Sequence, residues 1–506
     1  MAVDLPPPMP PQPAALVQVQ KNKEVASFAA HGYQVHVYGS RKLDAKRQAE
    51  IVNGADTISN GLRALNAAYY AAGYPGAKMS YAVVGKEVHV QVILAGVASV
   101  KAAGPLAKYF VDLPKDPRLT AEGLEPRRTL ASMHADRASL HGKTTLTPNA
   151  GVGSVFALKT GEGPRSTHAN LEFGNPGNRY VGRYFADLEL STGTRWGDEL
   201  RSLTRTTVPA LEDGPVEGEY LGQDLGWSRI TTWGIFGLGG RWVEYSFDAA
   251  PGATLDGELW VGEARWQYPL MADFDSRLMT QAKIDRTSKT TELAQTGAVL
   301  QRELYNSVEL SGTYQQVANR TDTRWDLDTG LALRKGLGDG KAPIAAPASA
   351  PDLDYTLARL ALVVRYHFAP EYSLAFEGSG QYSADTVPEQ QQVVLGGFGS
   401  LNSALPGLAA GDSGALVRVV GSVGMYRLLG LEWRPKLYID GGYADFNNLG
   451  GGSPAMADAG VQLDFMRGSW FEGSIAYAEN LWDRDLSDAS LNVADADVYF
   501  RVRFKY

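Results

Sequence analysis

Apolar and polar side chains alternate along the last ten residues of the chain. From Asp497 to Tyr506, every even position is apolar or aromatic and every odd position except Tyr499 is charged. A β-strand directs successive side chains to opposite faces, so this segment predicts a strand with one apolar and one hydrated face. Because similar segments recur through the rear of the chain, the pattern favours a closed transmembrane β-barrel.

Four further segments show the same two-residue period, and they lie within residues 307–315, 359–368, 374–381 and 461–465. An arginine facing the bilayer midplane costs about 2–4 kcal/mol, so we expect the charged faces to line a hydrated lumen. These side chains either contact a moving chain or only solvate the pore. The predicted lumen residues are Arg359, Arg365, Glu377, Asp464, Arg501 and Arg503, and Phe504 and Tyr506 are interpreted as a C-terminal barrel signal.

The distribution of tryptophan separates a front section from a rear section. All ten tryptophans lie between Trp196 and Trp482, which predicts a domain boundary near residue 165, because bilayer interfaces favour Trp and Tyr. At roughly 20 residues per strand and connection, residues 166–506 hold about 16 antiparallel strands. A β-sandwich or a propeller remains an alternative.

The front section predicts a tether and two small α+β domains. Residues 1–30 are Pro-rich and contain a stretch that could form a short helix, and we interpret the chain as a mature form with an added initiator methionine. Residues 31–96 alternate in the order β-α-α-β-β. Residues 97–165 form a second, less regular unit in which Leu119–Leu140 supplies helices.

Composition excludes several classes of function. The chain has no cysteine, so disulfides and thiolate metal sites are excluded. Its net charge of −8 offers no basic surface for nucleic acid. No stretch reaches the ~18 apolar residues that a membrane helix needs, so a membrane crossing requires strands.

Candidate chemistry is sparse. The run from Gly411 to Gly414 is similar to a serine-protease signature, but no histidine lies in a companion motif, and we interpret it as a turn. His134 and His141 could share a helix face, yet a metal site needs three or four ligands, so we interpret them as surface residues. We predict no catalytic residue, no metal site, no cofactor and no enzymatic activity.

Three local patterns resemble the outer-membrane transporters of two-partner secretion, the haemolysin and filamentous-haemagglutinin secretion/activation family. Gly73-Tyr74-Pro75 followed by residues 83–96 looks like the end of a periplasmic POTRA domain. Residues 171–184 resemble the opening barrel hairpin of the family. Residues 395–418 resemble its sixth extracellular loop, which folds back into the lumen.

The resemblance implies a contact between this loop and the barrel wall. The family carries Val-Arg-Gly-Phe/Tyr at the loop tip, where this chain has Leu401 to Ala404, and its arginine meets an inward aspartate that matches Asp440. Three possibilities are open: Asn402 touches Asp440 without a charge, Asp440 recruits another cation, or the loop is seated differently. The predicted contact residues are Ser400, Asn402, Arg418 and Asp440, within a loop near 395–414 that includes Gly396, Gly397, Gly399, Gly411 and Asp412.

The resemblance implies two periplasmic POTRA-like domains and a barrel in the outer membrane that together export an unfolded partner exoprotein. Recognition would use β-augmentation at a POTRA edge strand. The implied partners are that secreted polypeptide, outer-membrane lipid and lipopolysaccharide, and the barrel assembly machinery during biogenesis, with no nucleic acid. The alternatives are a factor that inserts other barrels, and a passive pore or surface-binding barrel with an altered loop.

Overall fold

The computed structural model forms two compact units, residues 1–164 with 271–274, and residues 165–270 with 275–506. The predicted tether lies outside the described residues as far as residue 22. No helix in the described part of the chain is long and apolar enough to cross a membrane. The structure describes residues 23–116, 118–148, 154–178, 181–211, 218–250, 252–319, 323–340, 350–369, 371–447, 452–487, 491, 496 and 498–506.

The first module packs two helices on one face of a four-stranded sheet in the order β1-β2-β4-β3. Its core joins the strand valines Val35, Val88 and Val90 to Leu62 and Leu65 of the second helix. Strands β2 and β4 are parallel and the other pairs antiparallel. The elements are β1 (Glu24–Ala30), β2 (Tyr33–Tyr38), α1 (Ala45–Asn53), α2 (Ile58–Ala71), β3 (Ala77–Val84) and β4 (Glu87–Leu94).

Residues 24–30, within the segment where a short helix was predicted, form strand β1 instead. The first module therefore begins at Glu24 rather than at residue 31. Ala26 and Ala30 are buried and Phe28 packs against the same core, which is the two-residue period of a strand. The alanine-rich composition alone favoured a helix, and pairing with β2 overrides that preference.

The face of this sheet opposite the helices carries a small polar cluster in which Tyr38 and His89 are buried. The Tyr38 hydroxyl lies 2.9 Å from Nδ1 of His89, and the rings of His36 and His89 stack with centroids 5.2 Å apart. Burial, together with the nearby carboxylates of Glu24 and Glu87, raises the pKa of Tyr38 to about 12.

The second module packs helix α3 (Ala121–Arg137) on a three-stranded sheet in the order β5-β7-β6. His134 of this helix is fully buried beside the Tyr109 hydroxyl, 2.8 Å from its Nδ1, so the interpretation of His134 as a surface residue was wrong. His141 belongs to β6 and shares no helix face with it. The strands are β5 (Val97–Ala102), β6 (Leu140–Pro148) and β7 (Ser154–Glu162).

The described residues of the rear unit form a closed antiparallel barrel of sixteen strands, and β26 closes it by pairing with β8. The predicted strand number is therefore confirmed. The barrel strands are β8 (Thr167–Gly174), β9 (Phe185–Gly193), β10 (Asp198–Thr207), β11 (Glu219–Thr231), β12 (Gly234–Ala250), β13 (Ala253–Ala272), β14 (Ser276–Leu293), β15 (Ala298–Asn319), β16 (Arg324–Gly336), β17 (Thr356–Ala369), β18 (Tyr372–Ser383), β21 (Ser413–Ser422), β23 (Leu431–Asp445), β24 (Ala455–Arg467), β25 (Phe471–Arg484) and β26 (Val498–Lys505). Three short strands accompany them: β19 (Val393–Leu395), β20 (Ala409–Gly411) and β22 (Tyr426–Leu428).

The two faces of the barrel wall differ in polarity. Large apolar side chains such as Leu310, Leu360 and Leu437 are exposed on the outer face, which hydrocarbon covers in a membrane. Trp196, Trp233 and Trp470 are exposed in short turns at one end, where an aromatic girdle is expected. The predicted lumen residues lie on the inner face, beside charged partners. Arg365 is in register with Asp326, and Glu377 is in register with Arg418. The Asp464 carboxylate lies 2.6 Å from the Lys436 ammonium, and Arg503 donates a hydrogen bond to Glu172.

Candidate functional site

The connection between β18 and β21 is a long re-entrant loop, residues 384–412, with internal structure of its own. Strands β19 and β20 pair as a hairpin within it. Gly396 and Gly397 adopt φ values of 91° and 107° at the turn above this hairpin. A Cβ at Gly396 would lie 2.3 Å from the Leu405 carbonyl oxygen, so only glycine fits there.

The base of the loop is fixed by the buried side chain of Asp412. Its Oδ1 accepts a hydrogen bond from the Val387 N–H at 2.7 Å, and its Oδ2 accepts one from the Asn447 N–H at 2.9 Å. Asp412 therefore ties the two ends of the loop to the next connection. This arrangement is an internal brace, and its carboxylate is not directed at a histidine, as a protease would require.

The descending limb of the loop, residues 384–392, contacts inner-face side chains of three strands. Glu389 forms an ion pair with Lys289 of β14. The Arg359 guanidinium of β17 donates to the carbonyl and side-chain oxygens of Gln391, at 3.2 and 3.0 Å, and Gln381 of β18 donates to the same carbonyl at 2.6 Å. The limb thus lies inside the barrel.

The loop tip, residues 398–404, contacts the barrel wall at strands β23 and β24, and the tip groups that donate these hydrogen bonds are uncharged. The Asn402 amide donates to the Tyr438 hydroxyl at 2.8 Å, and its oxygen accepts from the Gly399 N–H at 2.8 Å. The Ser403 N–H donates to Oδ2 of Asp458 at 2.8 Å. No arginine or lysine of the described tip enters this seat.

A tyrosine of the last strand completes the seat. The Tyr499 hydroxyl donates to the Ala404 carbonyl at 2.7 Å, and its ring lies 5.8 Å from the Phe398 ring. The Arg501 guanidinium lies over the other side of the seat, 5.3 Å from the Phe398 centroid. Beneath the tip, an apolar cluster that includes Leu395 and Leu401 is fully buried.

Asp440 lies beside a cation of the barrel wall. Nε of Arg418 lies 3.2 Å from its Oδ1, and the two residues are register partners on β21 and β23. The same guanidinium lies 4.1 Å from the Tyr438 ring centroid. Of the three possibilities left open by the sequence, the geometry matches recruitment of another cation by Asp440.

Two of the predicted contact residues are placed differently from expectation. Asn402 meets Tyr438 and not Asp440, because Asp440 is already covered by Arg418. The Ser400 hydroxyl is buried without a hydrogen-bond partner among the described residues, and its N–H donates to the Gly397 carbonyl inside the loop at 3.0 Å. Ser400 therefore shapes the turn.

Sequence reasoning missed Asp458 and Tyr499 as seat residues. Tyr499 had a visible signal, because it is the one uncharged odd position in the terminal strand. Asp458 has no such signal in the sequence of its own strand. It lies under the tip because it is in register with Asp440 on the neighbouring strand.

A known family model matches part of the chain. Residues 247–461 match the family model of the haemolysin secretion/activation protein ShlB/FhaC/HecB. The resemblance to this family found in the sequence is confirmed over these residues. A search of curated proteins finds no match to the chain.

Solved structures with the same architecture are distant in sequence. CdiB from Escherichia coli is 15% identical, with a TM-score of 0.70 over 95% of this chain and 91% of that chain. CdiB from Acinetobacter baumannii is 13% identical, with a TM-score of 0.64 over 96% and 89%. BamA from Haemophilus ducreyi lacking POTRA domains 1–3 is 11% identical, with a TM-score of 0.51 over 95% and 100%. These likenesses confirm the predicted fold class, a barrel preceded by α+β domains of the POTRA type.

The barrel lies in the outer membrane, with the N-terminal domains in the periplasm, as the sequence predicted.

Proposed function

We propose that the chain recognises an unfolded partner exoprotein in the periplasm and passes it through the barrel lumen to the cell surface. The observation that carries this proposal is the re-entrant loop, which occupies a hydrated lumen and is fixed there by a small set of side-chain contacts. Such a loop can leave without breaking the barrel, because the cation beside Asp440 is Arg418 of the wall itself.

Recognition is assigned to the two N-terminal modules. Their sheets each leave two edge strands, β1 and β3 in the first and β5 and β6 in the second. An extended passenger can add a strand to such an edge through main-chain hydrogen bonds. Strand β3 is the favoured edge, since Val83 and Val84 at its end are exposed and offer apolar contacts to alternate side chains of a passenger.

Lipid covers the apolar outer face, and lipopolysaccharide and the barrel assembly machinery belong to the same proposal. The sequence carries no nucleotide-binding motif, so passenger folding outside the cell supplies the direction of movement. No step requires the chain to act as an enzyme.

The test is export of a large exoprotein encoded in the neighbouring reading frame, coexpressed in a Gram-negative host. The full chain is expected to place this passenger at the cell surface, where added protease degrades it. A chain lacking residues 24–94 is expected to insert normally but to leave the passenger in the periplasm. Equal export by both chains would contradict recognition by the first module.

A further inference from the structure

Four arginine–carboxylate pairs follow one another across strands β9 to β13 on the inner face of the barrel. This inference rests on the proposed function and concerns the kind of polypeptide that the lumen accepts. Each pair lies on the face opposite exposed apolar residues such as Leu200, Leu225 and Leu238. The pairs are Arg201 with Glu189 at 2.7 Å, Arg205 with Asp187 at 2.9 Å, Arg241 with Asp224 at 2.5 Å and Arg265 with Glu263 at 3.4 Å.

The two members of each pair differ in exposure. The arginine side chains are 42–59% exposed, whereas their acidic partners are 14–36% exposed. The carboxylates therefore lie closer to the wall and the guanidinium groups face the bore. We call these four side chains, Arg201, Arg205, Arg241 and Arg265, the arginine strip.

The arginines of the strip offer hydrogen-bond donors to the bore, and their carboxylate partners are less exposed to it. A guanidinium has five N–H donors and no acceptor. Arg205 gives two donors to Asp187, and the other pairs involve a single guanidinium nitrogen each. At least three donors on each arginine are therefore not taken by its carboxylate partner. Gly237 lies under Arg265, where a Cβ would come within 2.8 Å of Nε, so the absence of a side chain lets that arginine lie along the wall.

The loop and the strip use different parts of the barrel. The polar contacts of the loop go to residues of other strands, among them Lys289 of β14, Arg359 of β17, Asp458 of β24 and Tyr499 of β26. A cavity of about 710 Å³ is lined both by strip residues and by Gln390 and Gln391 of the descending limb. The strip therefore borders open space inside the lumen.

We propose that the arginine strip is the track on which the passenger moves, and that it selects unfolded polypeptides rich in carboxylate side chains. An extended chain presents backbone carbonyls at every residue, and Asp and Glu add oxygens that match the guanidinium fork. Half-exposed arginine–carboxylate pairs are weak, so they exchange partners readily. Conduction requires many weak sites of this kind rather than one strong site.

The experiment measures block of single-channel current in planar bilayers by short peptides, with the full chain and without any passenger. The probes are a ten-residue glutamate peptide, a ten-residue lysine peptide and a neutral Gly/Ser peptide at 0.1 M salt. Where the full chain stays closed, the comparison uses a chain lacking residues 396–407. The glutamate peptide is expected to block at a concentration about tenfold lower than the lysine peptide.

The variant with Arg201→Gln, Arg241→Gln and Arg265→Gln is expected to lose this difference. Arg229→Gln is the matched control, because Arg229 pairs with Asp198 at 2.6 Å on the outer face, and it should block as the unmodified chain does. If the triple variant does not assemble, Arg241→Gln alone should weaken glutamate block about two- to threefold.

Equal block by both charged peptides, or glutamate block unchanged in the triple variant, would overturn the proposal. The export assay separates this failure from failure of the proposed function. Normal export with unselective block removes the arginine track and keeps the transporter, while selective block without export keeps the track and removes the assigned passenger.

Discussion

Replacing Asp458 by alanine tests whether the loop tip is held by this residue. Its Oδ2 accepts the Ser403 N–H at 2.8 Å, and the side chain is fully buried. In Asp458→Ala, the seated loop keeps a buried N–H without a partner, whereas the released loop hydrates that group. The seated state is therefore destabilised relative to the released state.

The magnitude follows from the type of bond. A buried donor left without its partner costs about 1–3 kcal/mol. Since 1.4 kcal/mol corresponds to a tenfold change in an equilibrium constant, release of the tip should become about 5- to 150-fold more favourable. Asn402→Ala removes a neutral bond to Tyr438 and should shift release by about tenfold at most.

Single-channel recording provides the assay, with open probability as the readout. Asp440→Ala is the matched comparison, because it leaves the buried Arg418 without its partner and should lower barrel stability by about 3–5 kcal/mol while changing opening little. The opposite order, with frequent opening in Asp440→Ala and none in Asp458→Ala, would refute the assignment of Asp458 and restore the contact that the family resemblance implied.

Three further perturbations test the barrel and the first module. Arg334→Met removes the cation that lies 2.7 Å from the buried carboxylate of Asp285 and should lower the stability of the barrel by about 3–5 kcal/mol. In gel electrophoresis after heating, the folded barrel should then unfold at a lower temperature than in the unmodified chain. Asn175→Ala removes two hydrogen bonds from the buried Asn175 side chain to β26, where the last strand closes the barrel. It should lower this unfolding temperature more than Arg503→Ala, because the ion pairs of Arg503 are partly exposed. Because the pKa of Tyr38 is raised from 10 to about 12, folding of the first module should lose stability as pH rises through this range, and alkaline unfolding followed by circular dichroism should shift to higher pH in Tyr38→Phe.

The face of each barrel strand was predictable because lipid and water impose opposite polarity on alternate positions. In the segment 307–315, Val308 and Leu310 are exposed outside while Ser307 is fully buried inside, as the two-residue period predicted. The helix predicted within residues 1–30 was wrong for residues 24–30 because this segment shows such a pattern only weakly. A short run of small residues carries little periodic signal, and pairing with β2 decided its conformation.

The partners at the loop tip could not be derived from the sequence. Arg418 meets Asp440 only because β21 and β23 pair directly, with the short strand β22 set between them in the chain. The length of that connection does not determine the register. A shift of one residue would turn Arg418 towards lipid, so a contact of this kind depends on the assembled barrel.

In this chain the cation beside Asp440 is Arg418 of the barrel wall, where the family resemblance implies an arginine of the loop. This difference changes which contacts the loop must break in order to move. A loop arginine paired with Asp440 would leave a buried carboxylate without a partner whenever the loop withdrew, and that is a large cost. Here Arg418 belongs to the wall, so its pairing with Asp440 does not depend on the loop, and the tip gives up the hydrogen bonds of Asn402, Ser403 and Ala404. Since Asp458 then meets water instead of Ser403, release costs a few hydrogen bonds and no buried ion pair at the tip, which suits a loop that must yield to a passing chain.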